Sequence, residues 1–328
     1  MSAALPDPSR PLAPDAADDA FARILDGKVE DAELAAFLTA LADRGETVAE
    51  VVAAARALRA RRAFAPQAPE ALDVCGTGGD GQHSVNVSTA VALVVAACGV
   101  KVAKHGNRAA SSLSGGADVL AELGVPELPV ERLGACLDDV GITFLHAARH
   151  HPAMARVAPV RRALGRRTIF NLLGPLANPA GVQRQLVGVF APHWVAPMAE
   201  ALQLLGAASA MVVHGDGFDE LAVSGPSNFA RTDGCSITIG TLGPEIAGVA
   251  AHPASALAGG DAAHNAARMR ALLAGEPGAY HDIVVLNAAA ALTVAHTGLG
   301  WDAAAASARN ALAGGAAADV LARWSSFR

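Results

Sequence analysis

The chain is poor in aromatic residues, with one Tyr, three Trp and nine Phe among 328 positions, 4% of the total. Stacking platforms of the kind that hold single-stranded nucleic acid are therefore scarce. Cysteine is also sparse: Cys75, Cys98, Cys136 and Cys235 include no CxxC spacing, which excludes a disulfide scaffold, fits a reducing compartment and makes the cytoplasm the expected location. No apolar run is long. The longest, Ala90–Val100, falls well short of the roughly 18 residues of a membrane span, and Asp and Pro stand near the N-terminus where a signal peptide carries Lys or Arg before an apolar core. Charged residues make up only 17%, with 31 acidic against 25 basic and a net charge of −6. That balance argues against a phosphate-backbone binder and leaves open a small anionic substrate held by local cations or a metal. What is abundant is small apolar residues, 52% hydrophobic overall, a globular composition. At roughly 100–200 residues per domain the length allows one large or two modest domains.

Residues 1–17 read as a mobile leader. From Asp18 to about Phe64, apolar residues such as Phe21, Ile24 and Leu25, then Leu34, Phe37, Leu38 and Leu41, recur at three- and four-residue steps, the period of a helix. This predicts a small helical domain over 18–69, with helices from about 126–175 expected to join it and Pro66–Pro69 as a hinge. Beyond it, short apolar runs ending in glycine alternate with Ala-rich helical stretches. Strands are expected at Leu72–Cys75, Lys101–Ala103, Ile142–Leu145, Leu186–Val189, Met211–Val213 and Leu221–Ser224, with an edge pair at Asn228–Asp233 and Ser236–Gly240. The predicted fold class is α/β: a small all-helical domain hinged to a larger α/β domain over 70–328 with a central, mostly parallel sheet.

Gly76-Thr77-Gly78-Gly79-Asp80-Gly81 follows the first strand and precedes a helix starting near Ser88, so it satisfies GxGxxG. A dinucleotide site also wants an acid about 20 residues further on, and between Gly81 and Ala117 there is no Asp or Glu. The stretch instead offers Ser84, Asn86, Ser88 and Thr89, then Lys104, His105, Asn107, Arg108, Ser111 and Ser112, an inventory suited to phosphate. No GxxxxGK[ST] occurs, which removes the P-loop. Taken alone, the glycines are equally a tight strand-to-helix turn with Ser88 or Thr89 as its cap. Lys104–Ser112, emerging after the next strand at the same carboxyl edge, favours a ligand.

Five motifs in order carry a resemblance: Asp73 to Asp80, Asn86-Val87-Ser88-Thr89, Lys104 to Ser112, Asn171 to Pro179, and His214-Gly215-Asp216-Gly217-Phe218-Asp219-Glu220. Together they resemble the anthranilate phosphoribosyltransferase family of tryptophan biosynthesis. The resemblance implies transfer of a phosphoribosyl group from 5-phosphoribosyl 1-diphosphate to anthranilate, with magnesium, two ions, as cofactor. It implies that Gly76, Gly79, Asp80, Ser84, Asn86, Val87, Ser88, Thr89, Lys104, His105, Gly106, Asn107, Arg108, Ala109, Ala110, Ser111, Ser112 and Gly116 surround the sugar diphosphate. Asp219 and Glu220 would supply the metal carboxylates with Ser88 as a further ligand, a set suited to magnesium. The same likeness puts Arg161 on the anthranilate carboxylate, a task for a planar guanidinium, with Gly76, Asn107, His105 and His151 nearby. It also implies a homodimer through the helical domain.

No single acid or base is assigned, because the aromatic amine is already neutral at pH 7 and proximity accounts for much of such a rate. The His146, His150, His151 cluster lacks HExxH and any cysteine, so a zinc triad is not expected there. Two positions depart from the family pattern, Val85 in place of an aromatic and Cys75 in place of an aliphatic residue; neither removes a polar group from the site. A pyrimidine nucleoside phosphorylase shares the architecture and a related Lys-His segment, but its second motif reads Lys-His-Ser-Gly-Arg where this chain has Lys104-His105-Gly106-Asn107-Arg108. A non-catalytic relative binding nucleic acid or a regulatory ligand is the remaining alternative, disfavoured by the net charge and the intact Asp219-Glu220.

Overall fold

The structure, a computed structural model, describes residues 4–108 and 113–328. Three helices open it: α1 (Pro14–Leu25), α2 (Asp31–Arg44) and α3 (Val48–Ala60). Helix α3 starts at a capping box in which the Thr47 side chain accepts from the Glu50 N–H at 3.3 Å and Glu50 accepts from the Thr47 N–H at 2.8 Å, satisfying two donors that a helix start leaves open. The buried Glu50 carboxylate also accepts from the Leu12 N–H at 2.9 Å. This anchor, with Leu12 buried and Leu5 N–H on Glu33 at 2.6 Å, corrects the expectation of a mobile leader through residue 17. The first helix begins at Pro14, four residues before Asp18, because Pro fits the first helical turn, where its missing N–H costs nothing.

Among the described residues the sheet has seven strands in the order β3-β2-β1-β4-β5-β6-β7, formed by β1 (Leu72–Gly76), β2 (Val102–Gly106), β3 (Ile142–His146), β4 (Arg184–Gly188), β5 (Ser209–Gly215), β6 (Ser227–Thr232) and β7 (Ile237–Leu242). β3 through β5 run parallel and β6 and β7 are antiparallel. The chain builds outward from β1 to β2 and β3, then crosses to β4 and β5. The carboxyl ends of β1 and β4 therefore form a topological switch point, where open α/β sheets bind ligands. The predicted strand at Leu221–Ser224 does not form. Buried Asn287 takes the place of a neighbouring strand, accepting from the Leu221 N–H and donating to the Leu221 carbonyl, each at 2.9 Å, which satisfies that backbone without a ladder.

The crossovers are α4 (Val87–Ala97), α5 (Gly116–Glu122), α6 (Leu133–Val140), the short turn α7 (Ala147–His150), α8 (Met154–Leu164), α9 (Leu173–Leu176) and α10 (Val195–Leu204). After the sheet come α11 (Ala262–Leu273), α12 (Ala279–Ala295), α13 (Trp301–Ala313) and α14 (Ala316–Ser326). Alternate strand residues point to opposite faces, and two cores result. Val74, Leu186, Met211 and Val213 pack with α4 and α12 to α14, whereas Cys75, Val187 and Val212 pack with α10 and the three opening helices. Of the helices expected to join the helical unit, α8 and α9 do so through Val157, Val160, Leu173 and Leu176, while α6 packs on the other side through Leu133 and Leu137. The Pro66–Pro69 segment is stitched down at its C-terminal end, Ala68 N–H to the Ala180 carbonyl at 2.9 Å and Gln183 N–H to the Pro69 carbonyl at 3.0 Å. Among the described residues no helix is long and apolar enough to cross a membrane.

Candidate active site

The loop after β1 crosses the switch point and is tied to β4, with the Thr77 N–H on the Gly188 carbonyl and the Phe190 N–H on Thr77 Oγ1, both at 2.9 Å. Over these strand ends lies Asp219. After β5 the chain reverses in a tight turn, Gly215 and Phe218 exchanging backbone hydrogen bonds of 3.1 and 2.8 Å, and this folds Asp219-Glu220 back across the sheet edge. Two glycines make room. A Cβ on Gly76 would stand 2.2 Å from Asp219 Oδ2, and one on Gly188 only 1.4 Å from the Asp219 carbonyl oxygen, a separation no side chain tolerates. Gly188 carries no motif signal; only the fold reveals why it is glycine.

Asp219 accepts from the Gly78 N–H at 2.7 Å and donates its own N–H to Asp80 Oδ2 at 3.4 Å. Burial, followed by the charge of Asp80, raises the Asp219 carboxyl to about 7. Burial and then Asp219 push Glu220 well above its ordinary range, opposed by Lys104 and by the Ser88 backbone N–H at the start of α4. Among the described residues no group of three His, Cys, Asp or Glu side chains converges as a ready-made cage. Magnesium needs no such cage, because it takes one or two carboxylates and completes its shell with water and substrate phosphate. Asp219 and Glu220 are hard oxygen donors in a setting that disfavours their charged forms, with the Asp80 carboxylate adding negative charge beside them, and a divalent cation would relieve that crowding.

Lys104 reaches into the same place. Its buried ammonium donates to the Val74 carbonyl at 2.7 Å and to Ser88 Oγ at 3.2 Å. Thr89 Oγ1 closes the floor, 3.2 Å from where a Cβ on Gly116 would lie, so that glycine lets the start of α5 approach α4. Val87 is buried and offers only backbone. Asn86 is held from behind by α11 and α12: its side-chain oxygen accepts from Asn265 at 2.9 Å and its carbonyl from the Tyr280 hydroxyl at 3.1 Å. Ser84 bridges to Ala258. Gly79 accepts from Arg167, whose guanidinium lies over the Phe190 ring, 4.4 Å from its centroid; Arg167 was not singled out from the sequence. Gly106 ends β2, and Asn107 and Arg108 follow it, exposed, Arg108 3.3 Å from Asp118. Ala109, Ala110, Ser111 and Ser112 lie outside the described residues.

His105 does not share the face of Lys104. Strand alternation sends its ring to the helical side, where Nδ1 lies 3.0 Å from the Gly174 carbonyl. A carbonyl only accepts, so Nδ1 carries the proton and Nε2 keeps its lone pair. The ring packs edge-on against His151 with centroids 5.2 Å apart at 69°. Burial, with each neighbour's imidazole, lowers His105 to about 3, and burial lowers His151 to about 4. His105 Nε2 and both nitrogens of His151 are buried without a hydrogen-bond partner among the described residues. On the same side Arg161 is half-buried and Arg162 exposed. The Arg161 guanidinium sits 5.9 Å from the Phe170 ring centroid, its pKa lowered by burial. The sequence-predicted residues thus divide between two sides of one sheet edge.

Two family models match the chain, the helical bundle domain of the glycosyl transferase family over residues 8–62 and its a/b domain over residues 68–318. Fold and site together define a glycosyl transferase. The anthranilate phosphoribosyltransferase of Novosphingobium aromaticivorans is 52% identical over 322 residues, 98% of each chain, and that of Erythrobacter litoralis 50% identical over 315 residues, 95% of this chain and 96% of the other. Among solved structures, the enzyme from Thermus thermophilus superposes with a TM-score of 0.91 at 45% identity, covering 97% of this chain and 96% of that one. The Saccharomyces cerevisiae enzyme in complex with PRPP and Mg gives 0.87 at 26% identity, covering 95% and 92%. The chain belongs to the anthranilate phosphoribosyltransferase family, and these relatives do not favour the phosphorylase or the non-catalytic alternative.

Proposed function

We propose that the chain transfers the phosphoribosyl group of 5-phosphoribosyl 1-diphosphate to the amino group of anthranilate, releasing diphosphate, as a step of tryptophan biosynthesis in the cytoplasm. The observation that carries this reading is the division of the site. One side gathers backbone N–H groups, Lys104 and the Asp219-Glu220 carboxylates at the start of α4; the other presents Arg161 among apolar and neutral groups. A sugar diphosphate suits the first and a flat aromatic carboxylate the second.

On the diphosphate side, Gly76, Gly79 and the Ser88–Thr89 turn supply close backbone approach, Lys104 a fixed positive charge, and Ser84, Asn86, Asn107, Arg108 and Gly116 the surrounding wall. Asp219 and Glu220, with Ser88, would hold magnesium, two ions in this reading, which when bound stabilises the charge that develops on the departing diphosphate. On the aromatic side Arg161 pairs with the carboxylate and fixes the ring, placing the amine near Gly76 and Asn107. His105 and His151, too weakly basic to take a proton ahead of bond formation, act as hydrogen-bond partners of the amine. The uncharged amine attacks with its own lone pair as the C1′–O bond to diphosphate breaks, and the strongly acidic anilinium so formed gives up its proton to the departing diphosphate or to solvent, so positioning does most of the work. We propose further that the helical unit closes on the α/β unit at the segment before β1, with anthranilate between them, and that the enzyme is a homodimer through its helices. Turnover is read as loss of anthranilate fluorescence on adding 5-phosphoribosyl 1-diphosphate and magnesium. Well-folded protein that consumes no anthranilate refutes the assignment.

A further inference from the structure

Among the described residues, every parallel neighbour pair in the sheet is laddered over five residues except one: β1 and β2 pair through Leu72 and Val102 alone. Beyond that pair three of the facing backbone groups are satisfied by side chains. The His105 N–H donates to Asp73 Oδ1 at 3.1 Å, and Lys104 Nζ to the Val74 carbonyl at 2.7 Å. Asn178 donates from one nitrogen to Asp73 Oδ2 and to the Ala103 carbonyl, both at 2.8 Å, while its oxygen accepts from the Ala180 N–H at 2.9 Å. Asp73, Lys104, His105 and Asn178 are all buried. A buried carboxylate with no ligand contact of its own is costly unless its partners satisfy it. Here both oxygens accept hydrogen bonds and a buried ammonium lies nearby.

We propose that Asp73, bridged by Asn178, is a positioning residue that wedges β1 and β2 apart and so sets the two sides of the site against each other. It fixes the diphosphate side through its β1 neighbour Val74, whose carbonyl anchors the Lys104 ammonium, and the aromatic side through the His105 backbone N–H, from which it accepts. The inference rests on the two-substrate reading above. Its distinguishing consequence is breadth: losing Arg161 alters one substrate's binding and losing Lys104 the other's, whereas losing Asp73 alters both.

The test compares Asp73→Asn and Asn178→Ser with the unaltered enzyme, measuring KM for anthranilate and for 5-phosphoribosyl 1-diphosphate, kcat, and Tm. Asp73→Asn is expected to raise both KM values by about tenfold, the scale of one lost hydrogen bond to a charged group, and Asn178→Ser to raise both by a smaller factor. A merely structural role lowers the active fraction, and hence the apparent kcat, and leaves KM where it was. Unchanged KM values in folded variants, or a rise confined to one substrate, overturn the proposal. If Asp73→Asn does not fold, Asn178→Ser, which keeps the carboxylate, decides by the same two-sided criterion. Inactivity of the unaltered enzyme would instead refute the functional reading.

Discussion

The acidic cluster at the switch point and the imidazole pair behind it are subject to the same force with opposite results. Burial disfavours the charged form of both. It raises Asp219 to about 7 and Glu220 well above its usual range, and it lowers His105 to about 3 and His151 to about 4. The imidazoles escape the charge penalty by being neutral, but His105 Nε2 and both His151 nitrogens stay without a hydrogen-bond partner among the described residues. The carboxylates escape it only by taking up protons or a cation. One side of the site therefore stores electrostatic demand and the other offers neutral hydrogen-bonding groups, a difference that suits a polyanion brought with metal and an uncharged amine.

The comparison breaks most visibly if the acids are removed. Asp219→Asn combined with Glu220→Gln is expected to lower kcat/KM by about 10³-fold, the scale of losing metal-based charge stabilisation, and to abolish the response to magnesium titration; a variant that keeps the wild-type metal dependence removes these residues from the site. Gly188→Ala comes next. Its methyl would overlap the Asp219 carbonyl, so Tm is expected to fall by the equivalent of at least about 3 kcal/mol, and Tm within a degree of the parent would show that the hairpin can move aside. Arg161→Ala should raise KM for anthranilate by about tenfold or more with little change for the sugar diphosphate. The adjacent exposed Arg162→Ala should leave both within about twofold; equal effects of the two substitutions would contradict their different burial.

The smallest effect is the most direct measure of the contrast. Because Asp219 is raised from 3.8 to about 7 in the folded protein, the folded state binds more protons than the unfolded one in that window, and this group's contribution to stability declines as pH rises through it. His105 and His151 run the other way. Lowered from 6.5 to about 3 and about 4, they cost stability as pH falls below 6.5, where the unfolded chain takes up protons first. Without metal, Asp219→Asn is therefore expected to flatten the loss of Tm between about pH 4 and 7, and magnesium to raise Tm of the parent most above pH 7. Histidine ring resonances of residues 105 and 151 are expected not to titrate between about pH 5.5 and 8; a midpoint near 6.5 for either would show that its side of the site is wet.

Much of this was legible before any coordinates. The apolar runs place all seven strands, and the glycine loop, the acid-free stretch and the Asp219-Glu220 pair lie where the motifs put them. Leu221–Ser224 was misread because an apolar run signals burial, and burial here comes with a side-chain partner, Asn287, in place of a neighbouring strand. Leu12 and the start of α1 were missed because their anchor, Glu50, is distant in sequence. Arg167 and Gly188 carried no local signal at all, since what makes each matter is a residue far along the chain, Gly79 and Asp219 respectively.

Composition, period and motif order belong to the sequence alone. They determined an α/β protein with a helical unit, a phosphate-suited loop pair and an acidic pair, because residue type and spacing fix which groups a strand end or helix start can offer. Which of those groups meet was decided by the tertiary structure. The crossing from β1 to β4 opened the crevice, the β5 turn laid Asp219 over two glycines, and strand alternation sent Lys104 and His105 to opposite sides. The first two depend on strand order, which brings together segments from about thirty to more than a hundred residues apart and leaves no trace in either one; the third needs the register of β2 against its neighbours to say which side each residue meets.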